Sequence, residues 1–381
     1  MSAAGAASGD LKFIPQLDGL RAFAILAVLL THSWYYVPDF PISWLGPQGW
    51  IGVDLFFVLS GFLITRILLE SKGAPRYYLN FYARRGLRVW PIYYLLLFFV
   101  FVVSAHLSPH WNRYFPRTFF PAGYFVLYLQ NTFFDLPTVP LALAITWSLA
   151  VEEQFYLVWP FLVSWVKAAR LPLVLLSIMI ATPVIRMFAY PLLGAASNTF
   201  FRFDQLATGA LAGWYVWSPG FDHAKFARLS WAGAGLFAIA LLVAVYDGRP
   251  EMYMDYGYLY LPLALGCAGL LGLAISLPVS SPYVRLLNWK VLRYIGKISY
   301  GLYLYHIIAF RVVFASPLYP LCLAKGVLGE AAIMIMQWGS AFGMAILSWH
   351  FLEAPLLRLK SRFRTPEVSA APALAGSAAT A

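Results

Sequence analysis

The sequence predicts an all-α fold: a polytopic bundle of about ten membrane-spanning helices with one short re-entrant or interfacial helix. Three observations carry this. Of 381 residues, 61% are hydrophobic and only 11% charged, which is not a soluble globular composition. Apolar stretches of the roughly 20 residues needed to span a bilayer recur along the chain. The cations gather in alternate connecting segments, as the positive-inside rule describes.

Hydropathy read in order gives helices at 14–36, 50–69, 87–106, 146–166, 171–190, 203–217, 231–246, 257–277, 298–315 and 331–352. The opening MSAAGAASGDLK lacks the charged region and cleavage site of a secretory signal, so the first helix is expected to stay as an anchor. The apolar piece at 119–130 is too short to span and is read as re-entrant or interfacial. With the N-terminus inside and that piece not crossing, most of the 27 Lys and Arg fall on the inner side, and Arg113, Arg117, Arg186, Arg202, Arg249, Arg311 and Lys325 fall outside. The expected location is therefore the inner (plasma) membrane, with both termini cytoplasmic. A crossing at 119–130 would invert the later loops and abolish the bias.

The expected organisation is a cytoplasmic segment at 1–13, one membrane domain at 14–364 and a disordered tail at 365–381 rich in small residues. The net charge of +11 is assigned to cationic helix flanks that meet membrane lipids, not to nucleic acid. Cys267 and Cys322 make no disulfide framework. His106, His110, His223 and His350 lack metal-site spacing, and no metal is expected. The absence of an evident internal repeat weakens an inverted-repeat transporter.

Ionisable groups inside the apolar segments carry the chemistry, because charge in a bilayer is costly and usually functional. Arg21 and His32 share one face of the first helix, roughly 16 Å apart along its axis. His32, Asp54 and the pair Glu152 and Glu153 are expected at similar depth near the outer side. Adjacent helical residues differ by about 100°, so one glutamate faces a shared cavity. Glu152 shares its face with Ser148 and Tyr156 and is preferred. A carboxylate beside His32 would fix its tautomer and basicity for general-base work. The structural alternative is a His–Glu bond that locks helices together.

A second constellation, FYARRGLRVWP, is expected between the second and third helices on the inner side. Arg84, Arg85 and Arg88 cluster there, and Arg85 and Arg88 are neighbours on one helical face. Such a pair can fork onto phosphate oxygens; on composition alone, anionic-lipid contact at a cytoplasmic helix end is the favoured account. His306 is either a cavity group or a packed bridging histidine. Asp204 is expected to cap a helix start, and Glu353 to pair with Arg358 or another inner arginine.

Taken together, LDGLRAFAILAVLLTH, GVDLFFVLSGFLIT, FYARRGLRVWPIYYL, TWSLAVEEQFYLVWP, FRFDQLATGALAG, ISYGLYLYH and FLEAPLLRL resemble the acyltransferase 3 family of membrane-bound acyltransferases. The resemblance implies transfer of an acyl group, commonly acetyl, from cytoplasmic coenzyme A thioester to a hydroxyl of a glycan or lipid-linked acceptor. It implies His32 as the catalytic histidine, Glu152 at the family's acidic position, and Arg85 with Arg88 at the motif associated with acyl-CoA; beside these, Asp54 is read as a second acidic partner of His32, and Arg21 and Arg84 as helpers in holding the donor. Glu153, His306, Ser148 and Tyr156 remain cavity candidates. Acyl-CoA, acetyl-CoA first, enters as co-substrate, with no tightly bound cofactor. An acyl-histidine intermediate is the alternative chemistry. Some members carry a fused esterase-like domain; this chain reads as the membrane part, which leaves its acceptor open. The competing functions are an exporter of a glycan, lipid or acyl donor with His32 as proton relay, and a scaffold in polysaccharide assembly.

Overall fold

A computed structural model describes residues 14–41, 43–107, 120–133, 139, 141–193, 197–247 and 259–363. The segments expected at 1–13 and 365–381 lie outside the described residues. Among the described residues the fold is helical, with no strand. The principal helices are α1 (Gln16–Trp34), α2 (Ile51–Glu70), α3 (Tyr77–Phe98), α4 (Trp147–Trp165), α5 (Leu171–Leu193), α6 (Phe203–Trp217), α7 (His223–Asp247), α8 (Tyr260–Ser276), α9 (Lys290–Lys297), α10 (Ser299–Ala315) and α11 (Val327–Ser348).

Each expected helix has a counterpart, but fewer than ten meet the length and apolarity of a membrane span. Among the described residues, seven stretches are long and apolar enough to cross a membrane, or eight if α9 and α10, bent by 72°, form one span. With 15 residues in α6 and 17 in α8, both fall short of the roughly 20 that a bilayer requires. Length and apolarity alone therefore do not carry the expected ten.

α2 is apolar on nearly every side, which suits only a central position. Of its most apolar window 72% is buried, against 17% for α7, so α2 is the hub and α7 lies at the periphery. α6 lies parallel against α2 through glycines. A Cβ on Gly61 would come within 2.0 Å of the Leu206 carbonyl oxygen, and one on Gly209 within 2.0 Å of that of Val58. Such backbone approach requires residues without side chains. The outward faces keep apolar groups such as Leu173, Ile180 and Phe188 of α5 exposed, as a lipid-facing helix does.

Two boundaries move the site. α3 begins ten residues before its expected start at 87, so Arg84, Arg85 and Arg88 lie inside a helix rather than in the connection. Gly73 (φ 82°) and Arg76 (φ 57°) turn the chain tightly and let α3 start early. The span containing α4 begins at Leu141, which sets Glu152 deeper than an outer first turn. The described part of 119–130 does not cross. It holds the five-residue helix Ala122–Val126, only about 7.5 Å long at 1.5 Å per residue. It is pinned to α3 by the Tyr93 hydroxyl, which donates to the Phe125 carbonyl at 2.7 Å. On the connection into α7, Asp222 accepts from the Lys225 and Ala224 amides, which holds its carboxyl below the ordinary carboxylate range.

Candidate active site

α1, α2, α3 and the segment after α11 enclose a cavity of about 320 Å³. Asp18, Arg21, Arg66, Arg84, Arg85, Arg88 and Lys360 line it. Arg21 pairs with Asp18 at 3.0 Å and Arg66 with Glu70 at 2.8 Å. Arg84, Arg85, Arg88 and Lys360 have no carboxylate at ion-pair distance among the described residues. The cavity is thus strongly cationic, and planar guanidinium forks suit phosphate oxygens.

A second chamber of about 100 Å³ continues from it and shares Arg21, Arg85 and Arg88. Its wall includes Phe56, Phe57, Ser60, Ser148, Glu152, Tyr156, Ser299 and Tyr303. Glu152 accepts from the Ser60 hydroxyl at 2.5 Å and the Tyr156 hydroxyl at 3.0 Å, while the Arg85 guanidinium lies over the Tyr156 ring. Tyr303 bounds the chamber: its hydroxyl donates to the Ile145 carbonyl at 2.6 Å and accepts from Ser148 at 2.6 Å. Apolar walls with a few convergent polar groups describe a ligand site.

Behind Tyr303 stand two histidines. His306 donates from Nδ1 to the Tyr303 carbonyl at 2.7 Å, which leaves Nε2 as an acceptor. His32 Nδ1 lies 2.9 Å from the Val28 carbonyl and 3.2 Å from His306 Nε2, so it carries the proton and shares it between them. The lone pair of His32 is then on Nε2. The α1 backbone and α10 together fix the tautomer that a base needs.

Neither expected carboxylate joins His32. The two oxygens of Glu152 are held by Ser60 and Tyr156, because the early start of its span sinks it toward Arg85. Asp54 is fully buried in an ion cluster: Gln205 donates to it at 2.8 Å, and Arg202 stands 3.5 Å away. Arg202 also covers the rings of Tyr260 and Trp147. Asp204 pairs with Arg186 at 2.7 Å through one oxygen, and in the first turn of α6 its other oxygen accepts from the Gln205 amide at 3.1 Å, as expected of a carboxylate at a helix start. Glu353 accepts from Ser348 at 3.3 Å and makes no ion pair with Arg358. Glu153 turns away from the chamber and accepts from the Trp90 indole at 3.1 Å.

The structure thus gathers Arg21, Arg85 and Arg88 with Glu152, Ser148 and Tyr156, and gathers His32 with His306. It leaves Asp54 in the separate cluster. Sequence reasoning missed Ser60, Tyr303, Lys360, Arg186 and Arg202. Arg186 and Arg202 stand in apolar context, and an intramembrane cation is itself a signal. Tyr303 and Ser60 carry none.

The chain is similar to known proteins along most of its length. A family model described as an acyltransferase domain matches residues 14–349. The chain is 31% identical over 367 residues to the peptidoglycan O-acetyltransferase OatA of Listeria monocytogenes, covering 91% of this chain and 56% of that protein. It is 31% identical over 370 residues to a putative peptidoglycan O-acetyltransferase, YrhL, of Bacillus subtilis, covering 91% and 55%. The match to the O-acetyltransferase OatA of Staphylococcus aureus is 27% over 367 residues, covering 91% and 57%. The chain spans a little over half the length of these relatives. No solved structure matches it. A domain match across most of the chain, over the helices that build both cavities and the histidine pair, places this protein in the acyltransferase 3 family.

Proposed function

We propose that this protein is an integral-membrane O-acetyltransferase. It takes acetyl from cytoplasmic acetyl-CoA and delivers it to a hydroxyl of peptidoglycan or a related glycan on the outer side. One observation carries the reading: a phosphate-sized cationic cavity opens through Arg21, Arg85 and Arg88 into a narrow chamber that ends one residue contact from a histidine pair.

In this reading the arginines hold the donor's phosphates and the chamber takes its pantetheine arm. Glu152, Ser60 and Tyr156 offer polar contacts to the amides of that arm. His32 Nε2 takes the acceptor's hydroxyl proton as the oxygen attacks the thioester carbonyl. The carbon–sulfur bond breaks, and the departing thiolate recovers the proton from the imidazolium. His306 orients His32, the role expected of Glu152. The relatives' names support a glycan acceptor and an acetyl group. The reading includes ten crossings, with α6 and α8 as the two short ones, since α6 lies alongside α2; both termini are then cytoplasmic.

The test uses purified protein in vesicles with labelled acetyl-CoA on the face bearing Arg85. Release of free thiol together with acetylated glycan, lost in His32→Ala, supports the transferase. Passage of intact donor without thioester cleavage supports the exporter and rejects this reading.

A further inference from the structure

Lys360 lies beyond residues 14–349, where the family match ends. The chain continues past α11 through Ala354–Arg358 into the short turn Leu359–Phe363, which packs against α3. This return places Lys360, half-buried, in the wall of the cationic cavity, while Arg358 and Arg362 on either side remain exposed. A lysine does not settle opposite Arg84, Arg85 and Arg88 for its own stability, because like charges at close range repel. No carboxylate reaches it: Asp18 and Glu70 are held by Arg21 and Arg66, and Glu353 is turned toward Ser348. Lys72 shows the structural alternative. Its ammonium donates to the Val163 and Val166 carbonyls at 2.7 and 2.6 Å and closes the end of α4. Lys360 makes no such bond among the described residues.

We propose that Lys360 is a phosphate ligand of the acyl donor, supplied by the segment that follows the matched residues 14–349. It completes the anion site alongside the arginines of α3. The inference rests on the donor reading above and adds a residue and a chain segment to it.

The experiment compares two thioesters in vesicles: acetyl-CoA, and acetyl-pantetheine, which carries no phosphate. Lys360→Gln is expected to raise KM for acetyl-CoA roughly tenfold, in line with one lost charge-assisted bond, with kcat and the KM for acetyl-pantetheine unchanged. Lys360→Arg should restore most of the affinity, and Arg362→Gln should leave it intact. An unchanged KM in Lys360→Gln, while the unmodified protein still prefers acetyl-CoA, overturns this inference alone. A rise for both thioesters alike assigns Lys360 a structural role and overturns it. A rise seen only in vesicles of anionic lipid assigns it to lipid headgroups and overturns it. If the unmodified protein does not distinguish the two thioesters, the donor reading and this inference fall together.

Discussion

His32 has one ring nitrogen committed to Val28 and His306, and that commitment decides what each histidine does. Removing the base should cost about 10²–10⁴ in rate, so His32→Ala is expected to lose transfer by at least that order while still inserting in the membrane. Protonated imidazole has no lone pair, so transfer should fall as pH drops through the histidine's pKa and level off above it. Activity rising on acidification would contradict the base. His306→Ala should lose less than His32→Ala and move the acid limb of the profile, and His306→Gln should recover part, because its amide oxygen can still accept. Glu152 belongs to the donor chamber, so Glu152→Gln should raise KM for acetyl-CoA. Its effect should multiply with that of His306→Ala within about twofold, as sites without shared partners behave. Strong non-additivity would return Glu152 to the histidine pair. That one of two adjacent glutamates faces the chamber follows from the 100° step, and the face shared with Ser148 and Tyr156 singles out Glu152. Its distance from His32 was not legible in the sequence, because depth depends on where the span begins.

At the level of elements, α2 and α6 hold the bundle by two devices. One is the glycine contact, where Gly209→Val would force a side chain into the Val58 carbonyl. Overpacking of this kind costs typically about 1–3 kcal/mol, and a lowered unfolding midpoint in detergent would register it. The other is the ion cluster joining α2 to Arg202 and Gln205. Arg202→Leu strands Asp54 in an apolar interior and should cost about 3–5 kcal/mol. Asp54→Leu with Arg202→Leu should recover a large share, since no charge is left alone. A double variant worse than either single would mean that the cluster serves more than its own pairing. α6 itself was legible, with the expected bounds 203–217. The start of α3 was not, because a run of arginines reads as a solvated connection until its cavity is known.

For the whole molecule, sidedness follows from parity. With the N-terminus cytoplasmic and both α6 and α8 crossing, the connection before α7 is cytoplasmic and the one before α11 is outside. In a background lacking Cys267 and Cys322, a probe at Gly220→Cys should be protected from an impermeant reagent added outside, and one at Lys325→Cys should be labelled. Both positions are exposed in the fold. Labelling at 220 would show that α6 does not cross and would reduce the count.

The sequence by itself determined the helical class, the approximate place of each long helix, the gathering of cations in particular connections and the arginine pair on one helical face. These are local properties: hydropathy sums along a segment, and a 3.6-residue period assigns faces within it. The tertiary structure decided which faces meet. His32 finds His306 across 274 positions, Gln205 finds Asp54 across 151, and Lys360 joins a cavity built by α1 to α3. Those meetings depend on the rotation and depth of each helix, which are set by small residues packing against backbone. No periodicity within one segment carries that information.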